Sequence, residues 1–460
     1  MRSVDILIDG ATLVTMDAKR RVIRDGAIAI AADRILEVGK SSDLEVKYRP
    51  RKRIAGADYV ALPGFINGDV HITGTLYRCF VPDNVNSYPM IYEWVFPMYE
   101  GFTPEDEYHA AKVGSLEMIR TGTTTFAEGG SADDLSSVAR AVDETGIRAV
   151  LGRWSWDLVQ ESRKFRMTTE EALRDCERLL EEFSGRNHPR ISFHPMLLGI
   201  GTASDELIQG AKALADEYGV TLSMHRNEDA TEVDQCVEAV GKKPVEYLEE
   251  IGALGHNLRL RHMACTADEE VAALARYDVK VVADMTSYLR LAYGITRHGK
   301  FPEMIAQGVC VSLGIDGATS SDFLDMGRAM HIAAALFKDS RMDGELIPAE
   351  QALEMATING AKSLGMEDSV GSLEAGKKAD VILFDRMRPE WVPMWDPVST
   401  LVWSADGKSV DTVIIDGQVV LEEGEFTAID EKGVLNAATK QAAACNQRIG
   451  LPLKTRWPVV

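Results

Sequence analysis

Between residues 61 and 366 the chain alternates short apolar runs with longer amphipathic stretches. The runs are LPGFINGDVH, GTTTFAEGG, RAVLGRWSW, RISFHPMLLG, VTLSMHRNE, LRLRHMA, VKVVADMTS and VCVSLGIDG. Apolar strands separated by helices predict a parallel sheet covered by those helices. Eight such repeats over about 300 residues are what a (βα)8 barrel requires. The stretch TPEDEYHAAKVGSLEMIRTG predicts a helix with Thr103 as N-cap and Pro104 at its first position. Glu105 and Asp106 then suit the dipole of the first turn.

The two chain ends echo each other. ILIDGATLV (Ile6 to Val14) and VIIDGQVVL (Val413 to Leu421) each carry Asp-Gly between β-rich runs, a short-range hairpin signal. With GAIAIAADRILEVG and ADVILFD nearby, they predict a small composite β-sandwich domain built from residues 1–60 and 367–430. The barrel then occupies 61–366, and 431–460 forms a helical tail suited either to subunit contacts or to capping the barrel. The alternative is two unrelated hairpins.

The 460 residues are 45% hydrophobic and 26% charged, as in a globular protein with a sizeable core. A formal charge of -21 argues against nucleic acid, anionic membrane surfaces or strongly anionic substrates as partners. Asp5 interrupts any apolar leader, and no run of about 18 apolar residues occurs. A cytoplasmic protein acting on a small molecule is therefore expected. The six cysteines show no CxxC spacing and read as reduced thiols.

Most of the apolar runs end in titratable side chains. The carboxyl ends of barrel strands form the functional face, so these residues converge on one cavity. They are Asp69 and His71 on strand one, His194 on four, His225 and Glu228 on five, His262 on six, Asp284 on seven and Asp316 on eight. Asp69 and His71, two residues apart, point to the same side of their strand. His225, with Glu228 just beyond the strand end, brings imidazole and carboxylate near one ion. That is ligand chemistry for zinc, cobalt, manganese or iron.

PGFIN, DVH, MHRNE, RHMAC, SLGIDGATS and the terminal VGSLEAGKKADVILFD together resemble the amidohydrolase superfamily, in particular its triazine hydrolase and cytosine or guanine deaminase-like branch. The likeness runs from Val4 to about Phe426. It implies one divalent metal per subunit, zinc foremost, on two histidines of an HxH pair, a strand-five histidine and a strand-eight aspartate. His71, His225 and Asp316 match as they stand, whereas Asp69 occupies the place of the first histidine. Asp69 is expected either as a fourth ligand or as a group orienting a water or His225. Strand seven departs too, with Ala283, Asp284 and Tyr288 where histidine, cysteine and asparagine are usual.

A metal-bound water near neutral pH then needs a proton shuttle, for which Glu228 is the candidate general acid/base. His262 would polarise the substrate or ligate the ion, and Asp316 would hold the ion and its water. Candidate substrate contacts are His194, Asp284 and Tyr288, with Trp94 from an aromatic-rich stretch that also holds Tyr77, Phe80, Tyr88, Tyr92, Phe96 and Tyr99, and Trp156 with Trp154 nearby. The altered HxH pair directs the expectation to the subgroup that hydrolyses phenylureas and thiocarbamates, foreign compounds cleaved at a carbonyl carbon. The alternative is an aminohydrolase of a nitrogen heterocycle such as an s-triazine, pyrimidine or purine. The resemblance also implies a homo-oligomer.

Overall fold

The computed structural model describes residues 1–158, 162–183, 188–199 and 201–457, leaving aside the side chains of Ser87 and Tyr88. The eight predicted runs form the parallel strands of a barrel: Phe65–His71, Thr123–Glu128, Arg148–Leu151, Ile191–Phe193 continued by Met196–Leu197, Leu222–Arg226, Leu258–His262, Lys280–Ala283, and Val311–Leu313 continued by Asp316–Gly317. Strand four breaks at His194 and Pro195, because proline cannot donate to a ladder. Its first half pairs with strand three and its second with strand five. Strand eight breaks likewise. Val311–Leu313 pairs with strand seven, and Asp316 and Gly317 pair with Val70 and His71 to close the ring.

The predicted helix spans Pro104–Arg120 behind strand one. The Thr103 hydroxyl accepts from the Asp106 N–H at 3.4 Å, and Asp106 accepts from the Thr103 N–H at 2.6 Å, a reciprocal cap. The C-terminal helix Glu431–Ile449 lies along this helix, with Arg448 paired to Asp106 and Gln441 donating to it at 2.8 Å.

Both chain ends enter one nine-stranded sheet. Val381–Asp385 pairs antiparallel with Tyr59–Pro63, which runs parallel to the end of Arg2–Val14. Ile6, Ile8, Ile28, Ile30, Val381, Leu383 and Ile414 form its packed interior. Beneath the barrel, Arg148 at the start of strand three reaches the buried Asp380 at 3.0 Å and the half-buried Asp416 at 3.3 Å, tying the barrel to the sheet.

The two Asp-Gly pairs behave differently. Asp416 (φ 53°) and Gly417 (φ 75°) both take positive φ and turn a two-residue hairpin between Val410–Ile415 and Gln418–Glu422. Asp9 and Gly10 do not turn the chain. They form a bulge inside the continuous strand Arg2–Val14, where Gly10 donates to Ser41 Oγ at 2.7 Å and the Asp9 carbonyl accepts from Gly56 at 2.5 Å.

Candidate active site

At the carboxyl ends of the strands a cavity opens whose floor is His71, His225, His262, Asp316 and Glu228. Its walls are largely apolar, with Met90, Ile91, Val95, Phe96, Tyr99, Trp154 and Leu198. One side is acidic, formed by Asp229 and Glu232 with Gln235. Among the described residues no lysine or arginine lines it. Several strand ends bend sharply here: Asn227 (φ 52°), His262 (φ 70°), Met263 (φ 55°) and Asp316 (φ 63°) all sit in the left-handed region. Strain of this kind is held only where surrounding structure enforces it, and of these four residues His262 and Asp316 line the cavity.

Three acceptor atoms converge on the floor. His71 Nε2 lies 3.4 Å from His225 Nε2 and 3.5 Å from Asp316 Oδ1. Burial, reinforced for both by the charge of Arg261, holds the two imidazoles neutral. Two neutral imidazole nitrogens at this distance share one hydrogen at best, whereas a cation between them satisfies both. Zinc bonds of about 2.1 Å to nitrogen set neighbouring donors of a tetrahedron roughly 3.4 Å apart, so the spacing fits such an ion. Asp69 brings a carboxylate oxygen within 4.8 Å of the donors of His71 and His225. Thus Asp69, His71 and His225 form one cluster of the kind that could hold an ion, and Asp316 stands beside His71. Asp316 is pushed up to about 7, by burial first and by the neighbouring Asp69 second.

Glu228 stands beside this set, 3.6 Å from His262 Nε2, and its Oε1 accepts from Tyr293 Oη at 2.7 Å. Its carboxyl is pushed up to about 8, first by burial and then by the charge of Glu232, against the opposing Tyr293 hydrogen bond. His262 is pushed down to about 3 by burial and Arg261, and its Nδ1 faces Asp284 Oδ2 at 3.4 Å. The pair of a neutral imidazole and a carboxyl protonated near neutral pH can hold and move a proton at the cavity edge.

None of the five residues expected to touch substrate lines the cavity. Tyr288 lies beneath it, accepting from the Asp284 N–H at 2.8 Å and donating to the His262 carbonyl at 3.1 Å, a brace between strands six and seven. Asp284 is fully buried behind His262. His194 lies within 2.8 Å of Thr221 Oγ1 through Nδ1, in the break of strand four. Trp94 packs outward against Phe80, and Lys454 lies over its ring. Trp156 stacks behind Trp154, which takes the wall position, 5.4 Å from the His71 ring. Tyr88 falls outside the described side chains.

Several residues of the site escape the sequence pattern. Arg261, fully buried, donates to Asp69 Oδ1, to Ser223 Oγ at 3.1 Å and to the Glu128 carbonyl at 2.8 Å. Arg259 donates to the Gly68 carbonyl at 2.6 Å. Glu128 at the end of strand two is pushed up to about 8 by burial, its carboxyl held by Ser131 Oγ at 2.8 Å and by the Gly130 N–H. Thr319 and Ser320 add hydroxyls to the cavity floor. The alternation of Arg259 and Arg261 with leucines in LRLRH was the available signal for the arginines, since alternate residues of a barrel strand face inward.

A closed (βα)8 barrel with imidazoles and carboxylates at its strand ends, joined to a β domain, is the architecture of metal-dependent hydrolases of carbon–nitrogen bonds. The Amidohydrolase family model matches residues 60–420, and the chain belongs to this family. It is 33% identical, over 98% of its length and all of the relative's, to 5-methylthioadenosine/S-adenosylhomocysteine deaminase 1 of Syntrophus aciditrophicus (strain SB). It is 34% identical to 5'-deoxyadenosine deaminase of Methanothermobacter thermautotrophicus (strain ATCC 29096 / DSM 1053 / JCM 10044 / NBRC 100330 / Delta H), covering 96% of this chain and 99% of the relative. Among solved structures, an adenosine deaminase from Xanthomonas campestris with bound zinc superposes at a TM-score of 0.91 with 26% identity, over 97% of this chain and 99% of that one.

These relatives overturn the expectation of a phenylurea, carbamate or thiocarbamate hydrolase acting on foreign compounds. Proteins named as deaminases of adenine nucleosides match almost end to end. The altered HxH pair had carried the contrary reading, and one changed side chain does not outweigh that likeness. Among the described residues no helix is long and apolar enough to cross a membrane.

Proposed function

We propose that the protein is a metal-dependent aminohydrolase of adenine nucleosides, releasing ammonia from the purine 6-position. The observation that carries this reading is the end-to-end likeness to deaminases of methylthioadenosine, S-adenosylhomocysteine and 5'-deoxyadenosine. The cavity supports it. Its apolar and aromatic walls suit a flat base and an uncharged 5'-substituent, and Asp229 and Glu232 offer acceptors for sugar hydroxyls. With no basic residue among the described lining, a 5'-phosphate has no partner there and meets acidic repulsion.

One divalent ion per chain, zinc foremost, fits His71, His225 and Asp316, with Asp69 behind them. Bound there, it supplies a water acidified to near neutral pH. Glu228 holds a proton at neutral pH and stands to give it to the ring nitrogen; its carboxylate then takes the proton that the adding water releases and passes that one to the departing amino group, while Tyr293 fixes its Oε1. His262 borders the same carboxyl and orients the purine edge. In the net reaction water adds to the ring carbon and ammonia leaves. The floor and wall residues do the binding, so His194, Trp94, Trp156, Asp284 and Tyr288 support the cavity from behind.

A panel of methylthioadenosine, 5'-deoxyadenosine, S-adenosylhomocysteine, adenosine and AMP tests the reading through ammonia release and the ultraviolet change from adenine to hypoxanthine. Turnover of the nucleosides with AMP at least about 100-fold poorer is expected, the discrimination of some 3 kcal/mol that an unpartnered phosphate commands. Preferred turnover of AMP would contradict the substrate class, and silence from all five would contradict the deaminase itself.

A further inference from the structure

Asp69 is the residue in which this chain departs from the HxH pair, and its partner explains the departure. Asp69 and Arg261 sit on strands one and six with no exposure of either side chain, and Arg261 donates to Asp69 Oδ1. The guanidinium cannot swing away, because Ser223 Oγ and the Glu128 carbonyl hold its other donors at 3.1 and 2.8 Å. Asp69 Oδ2 is buried without a hydrogen-bond partner. A carboxylate oxygen of this residue lies within 4.8 Å of donors of His71 and His225.

We infer that Arg261 is a positioning residue of the metal centre. It takes one oxygen of Asp69, fixes the direction of the carboxyl and leaves the other oxygen for the ion, and in doing so it ties a carboxylate side chain to position 69. A histidine at 69 would remove the carboxylate to which Arg261 donates and leave that buried cation without its direct partner beside a divalent ion, the costly half of a broken buried pair. Aspartate and arginine therefore exchange only as a pair. This inference rests on the reading of His71, His225 and Asp316 as the metal donors.

The test measures zinc affinity by chelator competition and zinc content by elemental analysis, in samples whose folding is checked by circular dichroism. The variants are Arg261→Met, Asp69→His and the double variant Asp69→His/Arg261→Met. Arg261→Met is expected to bind zinc about 10–100-fold more weakly, the usual cost of losing a group that orients a ligand. Asp69→His should lose at least as much, and adding Arg261→Met to it should restore affinity to within a few-fold of the original protein. Such rescue is beyond a merely structural arginine.

Zinc affinity in Arg261→Met equal to that of the original protein would overturn the inference. So would Asp69→His binding zinc fully with Arg261 in place. Where Arg261→Met alone does not fold, Asp69→His against the double variant decides: rescue supports the pairing, and equal affinities overturn it. If the original protein takes up no zinc, cobalt, manganese or iron, the metal reading itself fails, a result distinct from the others.

Discussion

Asp69 and His71 leave the same strand two residues apart, toward the same barrel interior, yet they end in different layers. His71 lies in the cavity floor, ringed by Trp154, Tyr99 and His225. Asp69 lies one layer down, among Arg259, Arg261, Asp284 and the end of strand two, where nothing reaches solvent. A (βα)8 interior is filled in layers by alternate strands. Here the upper layer carries donors for chemistry, and the layer below carries a charge network in place of the usual branched apolar residues. The difference teaches that two members of a titratable pair can reach one site from different depths, His71 from the cavity floor and Asp69 from the charge network beneath it. Depth, set by the pleat and the tilt of the strand, separates its members.

The sharpest way to test this separation is to remove the proton carrier of the upper layer. Glu228→Gln should lower kcat by about 10²–10⁴-fold while metal content and thermal stability stay near their original values. A large loss of stability would mean that Glu228 belongs to the scaffold instead. At the opposite end of the barrel the outcome should invert. Arg148→Met strands the buried Asp380 without its cation, while Asp416 keeps Lys378 at 2.9 Å, and should cost about 3–5 kcal/mol of stability by denaturant titration. The kcat/KM of the folded fraction should be unchanged.

The pH dependence sharpens the comparison further. Burial pushes the Glu228 carboxyl up to about 8, so its protonated form is present below that value and is lost as pH rises through it. Activity should accordingly decline on the alkaline side of about pH 8. Tyr293 donates to the Glu228 carboxylate and so favours its ionised form. Tyr293→Phe should move the alkaline limb upward by about one unit, read from a kcat/KM profile. The smallest effect belongs to the outer shell of helices. Thr103→Ala removes the reciprocal cap and should cost about 1 kcal/mol, with no change in kcat.

The barrel and its rim of titratable side chains were legible because each rests on a local rule. Alternating runs mark the strands, and a polar residue at the end of an apolar run has few places to go in this fold. Glu228 stands three residues past His225, and the turn through Asn227 delivers it to the cavity edge as its spacing suggested. What stayed hidden depends on long-range pairing. Arg259 and Arg261 read as the polar face of a strand until Asp69, on a strand 192 residues away, supplies the partner. Trp154 and Trp156 share a face, and only their depth decides that the first reaches the cavity. The two Asp-Gly pairs look alike, but the one at Asp9 is held straight by strands on both sides, whereas the one at Asp416 has room to turn.

The central claim is that the upper layer binds a metal and deaminates adenine nucleosides. The most direct test measures metal content and ammonia release on one sample, with 5'-deoxyadenosine as substrate, before and after chelation. The account predicts about one ion per chain, one ammonia for each nucleoside consumed, and loss of both on chelation with recovery on adding zinc. Undiminished turnover in metal-free protein, or a fully loaded protein that releases no ammonia, would contradict it.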